Sequence, residues 1–223
     1  FTLGGLAERQ PALVREIAAG GHEVASHSYD HRRVIHQTPE QFRESVRRSR
    51  GLLEDITGQQ VLGFRAPSFS IVPGREWALD VLLEEGYVYD SSLFPIRRSG
   101  YGYPGTERRP HMIRRPAGEL LELPPSTLSL LGQTLPGAGG AYLRLLPFGL
   151  VNSTFRQCEG AGYGGTFYTH PWELDPGQPR LPVSTLTRIR HYGGLRRTEP
   201  RIVRLLRRYR FDSIAASMRL GTW

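Results

Sequence analysis

The sequence predicts an α/β fold, built from strand–helix units around a parallel sheet that is open or closed into a barrel. Two observations predict it. Helix and strand signals alternate through the first half of the chain at the spacing of βα units. Side chains able to do chemistry, His27, Arg65 and Asp90, stand at or just past the ends of those strands. Reactive residues gather there in parallel α/β folds.

Each element has its own local cause. Pro11 opens PALVREIAAGG, whose apolar residues at 13, 14, 17 and 18 and closing glycines describe a short amphipathic helix. HEVAS follows as a strand running into His27. Thr38-Pro39-Glu40-Gln41 is a capping box with proline at the first helical position, and it starts a helix that ends at Gly58. The apolar face of that helix is Phe42, Val46, Leu52, Leu53 and Ile56. VLGF (61–64) is a strand ending on Arg65, residues 75–86 are a second amphipathic helix, and YVYD (87–90) is a further strand. From 97 to about 160 the pattern loosens into an irregular insertion: loop-like RRSGYGYPGTERRPH, a short strand in LLELPPS, a Gly-rich turn at GQTLPGAGGAY and a helix broken near Pro147. GTFYTHPWELDP then gives a strand over 166–169 that ends on His170. A Pro-rich linker, an arginine-rich helix capped by Thr198 and a short strand near RFDSI complete a basic extension over about 176–223. These parts predict one domain over 1–223.

Composition narrows the function classes. The chain has 223 residues and a net charge of +8, and every one of its 29 basic residues is arginine. Arginines concentrate between Arg180 and Arg219, which describes either an anion-binding face or a solvated helix. No RNP-type aromatic ladder or zinc-finger spacing accompanies them, so nucleic acid is not the expected partner. No apolar run is long enough to span a bilayer. The single cysteine, Cys158, excludes an internal disulfide and a thiolate metal cluster. The GAGG run lacks a following G-K-[ST], which excludes a phosphate loop.

ASHSYDH (25–31) places His27 and His31 four residues apart, a spacing that lets two imidazoles reach one divalent ion. Alone, the pair is weak evidence for a metal and reads first as surface or capping residues. Asp30 reads as a third ligand or, the favoured reading, as a turn former. Phe69, Phe94 and Trp172 read as core packing or as walls for a sugar ring.

HSYDH, RAPSFS, YDSS and FYTHPWE, in that order, resemble the motifs of NodB-type polysaccharide deacetylases, carbohydrate esterase family 4. RAPSFS, YDSSLFP, RLLP and HPWELDP are similar to the exosortase-associated exopolysaccharide deacetylases in particular. The resemblance implies a distorted (β/α) barrel and a metal-dependent hydrolase that removes N-acetyl groups from amino sugars of a bacterial exopolysaccharide. It implies His27 and His31 as metal ligands, Arg65 as the residue holding the catalytic base, Asp90 as the partner of His170, and His170 as the general acid. Ser68, Phe69, Tyr168 and Trp172 would face substrate or oxyanion. The metal would be zinc, with cobalt or nickel as alternatives.

The family's first motif, of the type T-F-D-x-[ED]-D, supplies the base and a metal-binding aspartate, and it has no counterpart in this sequence. The expectation is a barrel without its first βα unit, inactive by itself because that motif precedes Phe1. Tyr168 stands where the fifth motif usually has leucine, which bears on pocket shape. An O-acetyl esterase on acetylated polysaccharide, and an inert carbohydrate-binding or assembly protein, are the rival readings. Oligomeric state, polymer and compartment are not specified by the sequence.

Overall fold

The computed structural model describes residues 1–98 and 100–220. Ser99 and the last three residues of the predicted basic extension lie outside them. The chain divides into two compact units: Phe1–Pro124 together with the chain from Asp212 onward, and Pro125–Phe211. The boundary at Pro124–Pro125 falls inside the segment 97–160 that the sequence marks as an insertion.

In the first unit α1 (Gly4–Arg9) and α2 (Pro11–Ala19) precede α3 (Pro39–Thr57), and α4 is Trp77–Glu84. The start of α3 is the capping box read from sequence. Thr38 Oγ1 accepts from Gln41 N–H at 3.3 Å, and Gln41 Oε1 accepts from Thr38 N–H at 3.1 Å. Gly58 ends the helix in the left-handed region, φ 67°, where a residue without Cβ is unstrained. The helix buries Phe42, Val46 and Leu53 completely, against Phe64, Leu79, Leu82 and Tyr87. On its solvent side Arg43 and Arg47 both reach the Glu85 carboxylate, just past the end of α4.

Among the described residues this unit holds a four-stranded sheet. Its members are β1 (Gly63–Phe64), β2 (Tyr89–Asp90), β3 (His111–Arg115) and β4 (Gly118–Glu122), in the order β1-β2-β4-β3. β1, β2 and β4 are parallel, and β3 is antiparallel to β4. Parallel bridges carry the pairing from Phe64 to Ser26 and from Ser26 to Thr2. The predicted strand HEVAS is thereby reduced to Ser26, because the backbones converge only at their ends, where Ser26 N–H reaches the Gly63 carbonyl and Arg65 N–H reaches the Ser26 carbonyl. The parallel order follows chain order, as βα units require.

The second unit opens with a hairpin of β5 (Thr127–Leu130) and β6 (Gln133–Pro136), closed by Leu131 and Gly132 with φ of 49° and 74°. The sequence predicts a turn region where β6 stands. α5 (Gly140–Leu145) and α6 (Phe148–Gly160) are separated at Pro147, as predicted. α7 (Thr185–Tyr192) and α8 (Thr198–Leu206) follow. Ala138, Leu143, Val151, Phe155 and Leu205 form this unit's own core. The run at 137–140 is glycine-rich because backbones meet there. A Cβ on Gly139 would lie 2.0 Å from the Tyr168 carbonyl oxygen, and the two residues form a parallel bridge.

Two expectations are corrected. Thr198 does not cap α8: the N-cap is Arg197, Thr198 lies inside the first turn, and its buried Oγ1 makes no hydrogen bond among the described residues. The segment near RFDSI is not a strand, and its Ile214 begins a short helix, α9 (Ile214–Ser217), capped by the Ser213 hydroxyl. Serine, whose oxygen accepts from a free helix N–H, outweighs the β-preference of Phe211 and Ile214.

Candidate active site

His27, His31, Arg65, Ser68, Phe69 and Asp90 belong to the first unit. Tyr168, His170 and Trp172 belong to the second.

In the first unit the parallel bridges end at Ser26 and Phe64, so His27 and Arg65 leave neighbouring strand ends side by side. His27 Nδ1 lies 2.6 Å from the Arg65 carbonyl oxygen. A carbonyl only accepts, so Nδ1 carries the proton and Nε2 keeps its lone pair. Burial pushes the His27 pKa down to about 3, the Arg65 carbonyl partly offsetting it, and the ring is neutral at ordinary pH. The His31 ring centroid is 5.1 Å from that of His27. Among the described residues no three His, Cys, Asp or Glu side chains cluster as a metal-binding group. The donor set fits a divalent ion to the extent of two imidazoles. Asp30 spends Oδ1 on the Arg32 N–H at 3.1 Å, a turn contact.

Backbone strain concentrates here. Ser28, His31, Ser68 and Phe69 all have φ between 52° and 63°, a region costly for residues with a Cβ and typical of functional sites. Phe69 packs on buried Phe94, with centroids 5.1 Å apart. Phe94 is therefore a core residue.

Arg65 is 8% exposed. Its Nε and one terminal nitrogen donate to the Ser91 carbonyl (3.1 Å) and Ser91 Oγ (2.7 Å). Ser92 Oγ accepts from Ala66 N–H at 2.7 Å and donates to Asp90 Oδ1 at 2.6 Å. Asp90 is wholly buried and faces an equally buried Glu122. Glu122 Oε1 accepts from Leu93 N–H at 3.0 Å, and no donor reaches its Oε2 from elsewhere in the described residues. Burial raises both carboxyls, Asp90 to about 6 and Glu122 well above its ordinary range, and Asp90 adds its own charge to the effect on Glu122. Two buried carboxyls facing one another favour a state in which one of them keeps its proton.

In the second unit the bridge at Tyr168 aligns the segment that delivers His170, whose side chain is half exposed. Glu173 is completely buried. Its Oε1 accepts from both His170 N–H (3.0 Å) and His170 Nδ1 (2.7 Å). Its Oε2 accepts from Arg144 Nε at 2.7 Å. The carboxylate at the His170 Nδ1 is thus that of Glu173, where the sequence expectation named Asp90. Burial would raise the Glu173 carboxyl, but the hydrogen bonds from His170 and Arg144 outweigh it and hold the pKa below its usual value. Trp172 stacks on His191 at 4.1 Å and lies nearly parallel to His170 at 5.7 Å, and the Tyr168 ring meets His170 edge-on at 6.0 Å.

Sequence reasoning misses Ser91, Ser92, Glu122, Arg144 and Glu173. Glu173 had a signal: it stands three residues after His170 with proline between, the pattern of a capping box with histidine in the first place. Arg144 had none.

Residues 91–219 match the family model described as Domain of unknown function (DUF3473), and residues 1–75 match the model described as Polysaccharide deacetylase. A peptidoglycan deacetylase of Helicobacter pylori is 33% identical over 95 residues, which are 42% of this chain and 31% of that protein. A crystal structure of a presumed polysaccharide deacetylase from Mycobacterium smegmatis aligns with a TM-score of 0.58 at 23% identity, over 77% of this chain and 57% of that one. Puue allantoinase aligns with a TM-score of 0.60 at 18% identity, over 98% of this chain and 65% of that one. The chain therefore spans less than two thirds of each relative's length, and the structural likenesses establish the α/β fold.

Proposed function

Because this chain belongs to the DUF3473 family and carries a polysaccharide deacetylase segment ahead of that region, we propose that it is a metal-dependent hydrolase removing N-acetyl groups from amino sugars. Its substrate is a bacterial exopolysaccharide, as the likeness of RAPSFS and HPWELDP to the exosortase-associated deacetylases suggests. One observation carries the reading: His27 is held neutral, with its proton on Nδ1 and its Nε2 lone pair available, 5.1 Å from the His31 ring. A metal-binding histidine needs that state, its second nitrogen fixed by a carbonyl.

His27 and His31 would hold one divalent ion, zinc before cobalt or nickel, together with a carboxylate. Such an ion polarises an acyl carbonyl and acidifies water. Pro67 has no N–H and that of Phe69 is spent on the Ala66 carbonyl, so in the turn Pro67–Phe69 it is the Ser68 N–H that would face the developing oxyanion. Arg65 is fixed at the strand end by Ser91 and would hold the catalytic base. His170 gives a proton to the departing amine, which cannot leave as an anion.

The test uses the full-length gene product with bound metal measured by mass spectrometry and acetate release followed on N-acetylglucosamine oligomers. His27→Ala is expected to lower metal occupancy at least about tenfold. His170→Ala is expected to keep the metal and lose roughly 100- to 10,000-fold in kcat. Unchanged metal content in His27→Ala refutes the ligand assignment. Acetate released from acetylated xylan oligomers and not from N-acetylglucosamine oligomers would replace the amide reading with an ester one.

A further inference from the structure

We propose that Glu173, clamped by Arg144, is the positioning residue that holds the proton on His170 Nδ1 and turns toward the substrate Nε2, the nitrogen that takes up the attacking water's proton before passing it to the departing amine. The inference rests on the deacetylase reading for what His170 does, and on this chain's own geometry for how it is held.

The clamp is built for one orientation. Arg144 is 1% exposed, and all three of its nitrogens are engaged. Nε goes to Glu173 Oε2, one terminal nitrogen to the carbonyls of His191 and Gly193, and the other to the Arg190 carbonyl. An arginine held by three carbonyls of one turn cannot swing, so Glu173 Oε2 is fixed and Oε1 is aimed at His170. Oε1 then takes two donors of the same residue, the backbone N–H and Nδ1. Two points define the plane and direction of the ring. A surface salt bridge would show neither the burial nor the convergence. Arg144 also lies 5.3 Å from the Trp172 ring, which itself flanks His170, so the ring is supported from the side as well.

A purely structural reading competes. Arg144 and Glu173 could serve only to tie the 190–193 turn to the Pro171–Leu174 turn. The two readings differ in what they predict for the imidazole. Removing one partner of a buried ion pair destabilises in both cases. Only positioning predicts that the His170 proton moves or exchanges when the fold survives.

Glu173→Gln is the informative variant, because no orientation of the amide satisfies both ends. Its NH2 must face either the Arg144 Nε–H or the two donors of His170. In the unaltered protein, nitrogen-15 NMR of histidine is expected to show the neutral His170 with its proton on Nδ1, and that proton exchanging slowly. In Glu173→Gln the signal is expected to broaden or shift to the Nε2–H form, kcat to fall roughly 100-fold, and KM to stay within about threefold. Glu173→Asp keeps the charge and should recover part of the rate. An unaltered protein whose His170 carries its neutral proton on Nε2 overturns the proposal without any variant. So does a folded Glu173→Gln with unchanged His170 resonances and unchanged kcat. If the gene product releases no acetate at all, the deacetylase reading fails, while the resonances still decide whether Glu173 sets the ring.

Discussion

Burial of Asp90 beside Glu122 raises both carboxyls and is expected to make the first unit sensitive to alkali. Both carboxyls are raised in the folded state, Asp90 to about 6, and both return to ordinary carboxylate values on unfolding. At this pair the folded state therefore binds more protons than the unfolded one above pH 4. Stability from the pair is complete below the ordinary carboxylate pKa and is lost as pH rises through 6. Arg65 opposes this by favouring ionised Glu122, and Tyr89 sits beside Asp90 on the same strand. Glu122→Gln imitates the protonated acid at every pH, accepting from Leu93 and donating to Asp90. Denaturant unfolding between pH 4 and 8 is expected to show the stability of the unaltered chain falling relative to that of the variant, since His27, with its depressed pKa, and the other shifted groups contribute equally to both. Equal slopes would mean that neither carboxyl keeps its proton. At this scale the sequence shows the residues that announce themselves by motif, His27, His31, Arg65 and His170. It hides Glu122, Glu173 and Arg144, because each acquires meaning only from a partner: Arg144 and Glu173 are 29 residues apart.

Elements were legible where the local chemistry agreed with itself. The helix α3 carries its proline, its capping box, its apolar stripe and its terminal glycine in order, and nothing in the fold overrides them. The β5–β6 hairpin was hidden for the opposite reason. Its two-residue turn needs positive φ at both positions, which asparagine-glycine signals and leucine-glycine does not. Leu131 sits in that strained conformation with 94% of its surface in water, so it gives nothing back in packing. Leu131→Asn should stabilise the second unit by about 1 kcal/mol, read as a rise in its denaturation midpoint. No gain would show that the turn is held by something other than its own two residues. The strands predicted at HEVAS, VLGF and YVYD shrank to one or two paired residues, since periodicity reports which side chains are buried and not where two backbones come within bonding distance.

Across the whole molecule the sequence shows the class of fold and the reason for it, parallel strands in chain order with chemistry at their ends. It does not show the division into two units, because each core draws on residues scattered along its own stretch and no linker of distinct composition marks Pro124–Pro125. Nor does it show that the chain returns to the first unit after Phe211. There Ala215 N–H donates to Glu23 Oε2 at 2.9 Å, while Glu23 Oε1 accepts from the Tyr89 hydroxyl at 2.6 Å. Deleting residues 212–220 should cost the first unit about 1–3 kcal/mol, the worth of a hydrogen bond to a carboxylate. Hydrogen exchange at the amides of Thr2, Ser26 and His27 would register it, and unchanged protection would make the return segment a passenger.

The bond between Glu23 and Ala215 spans 192 residues, which has a consequence for the order of events on the ribosome. Glu23 emerges before the second unit, and its partner Ala215 arrives only after that unit has been made. Closing so long a loop is entropically dear while the intervening chain is a coil, and cheaper once that chain has condensed. The first unit can gather its core beforehand, but it is sealed last. A slow or misfolded second unit would thus leave an otherwise finished first unit open beside Tyr89, one residue from Asp90.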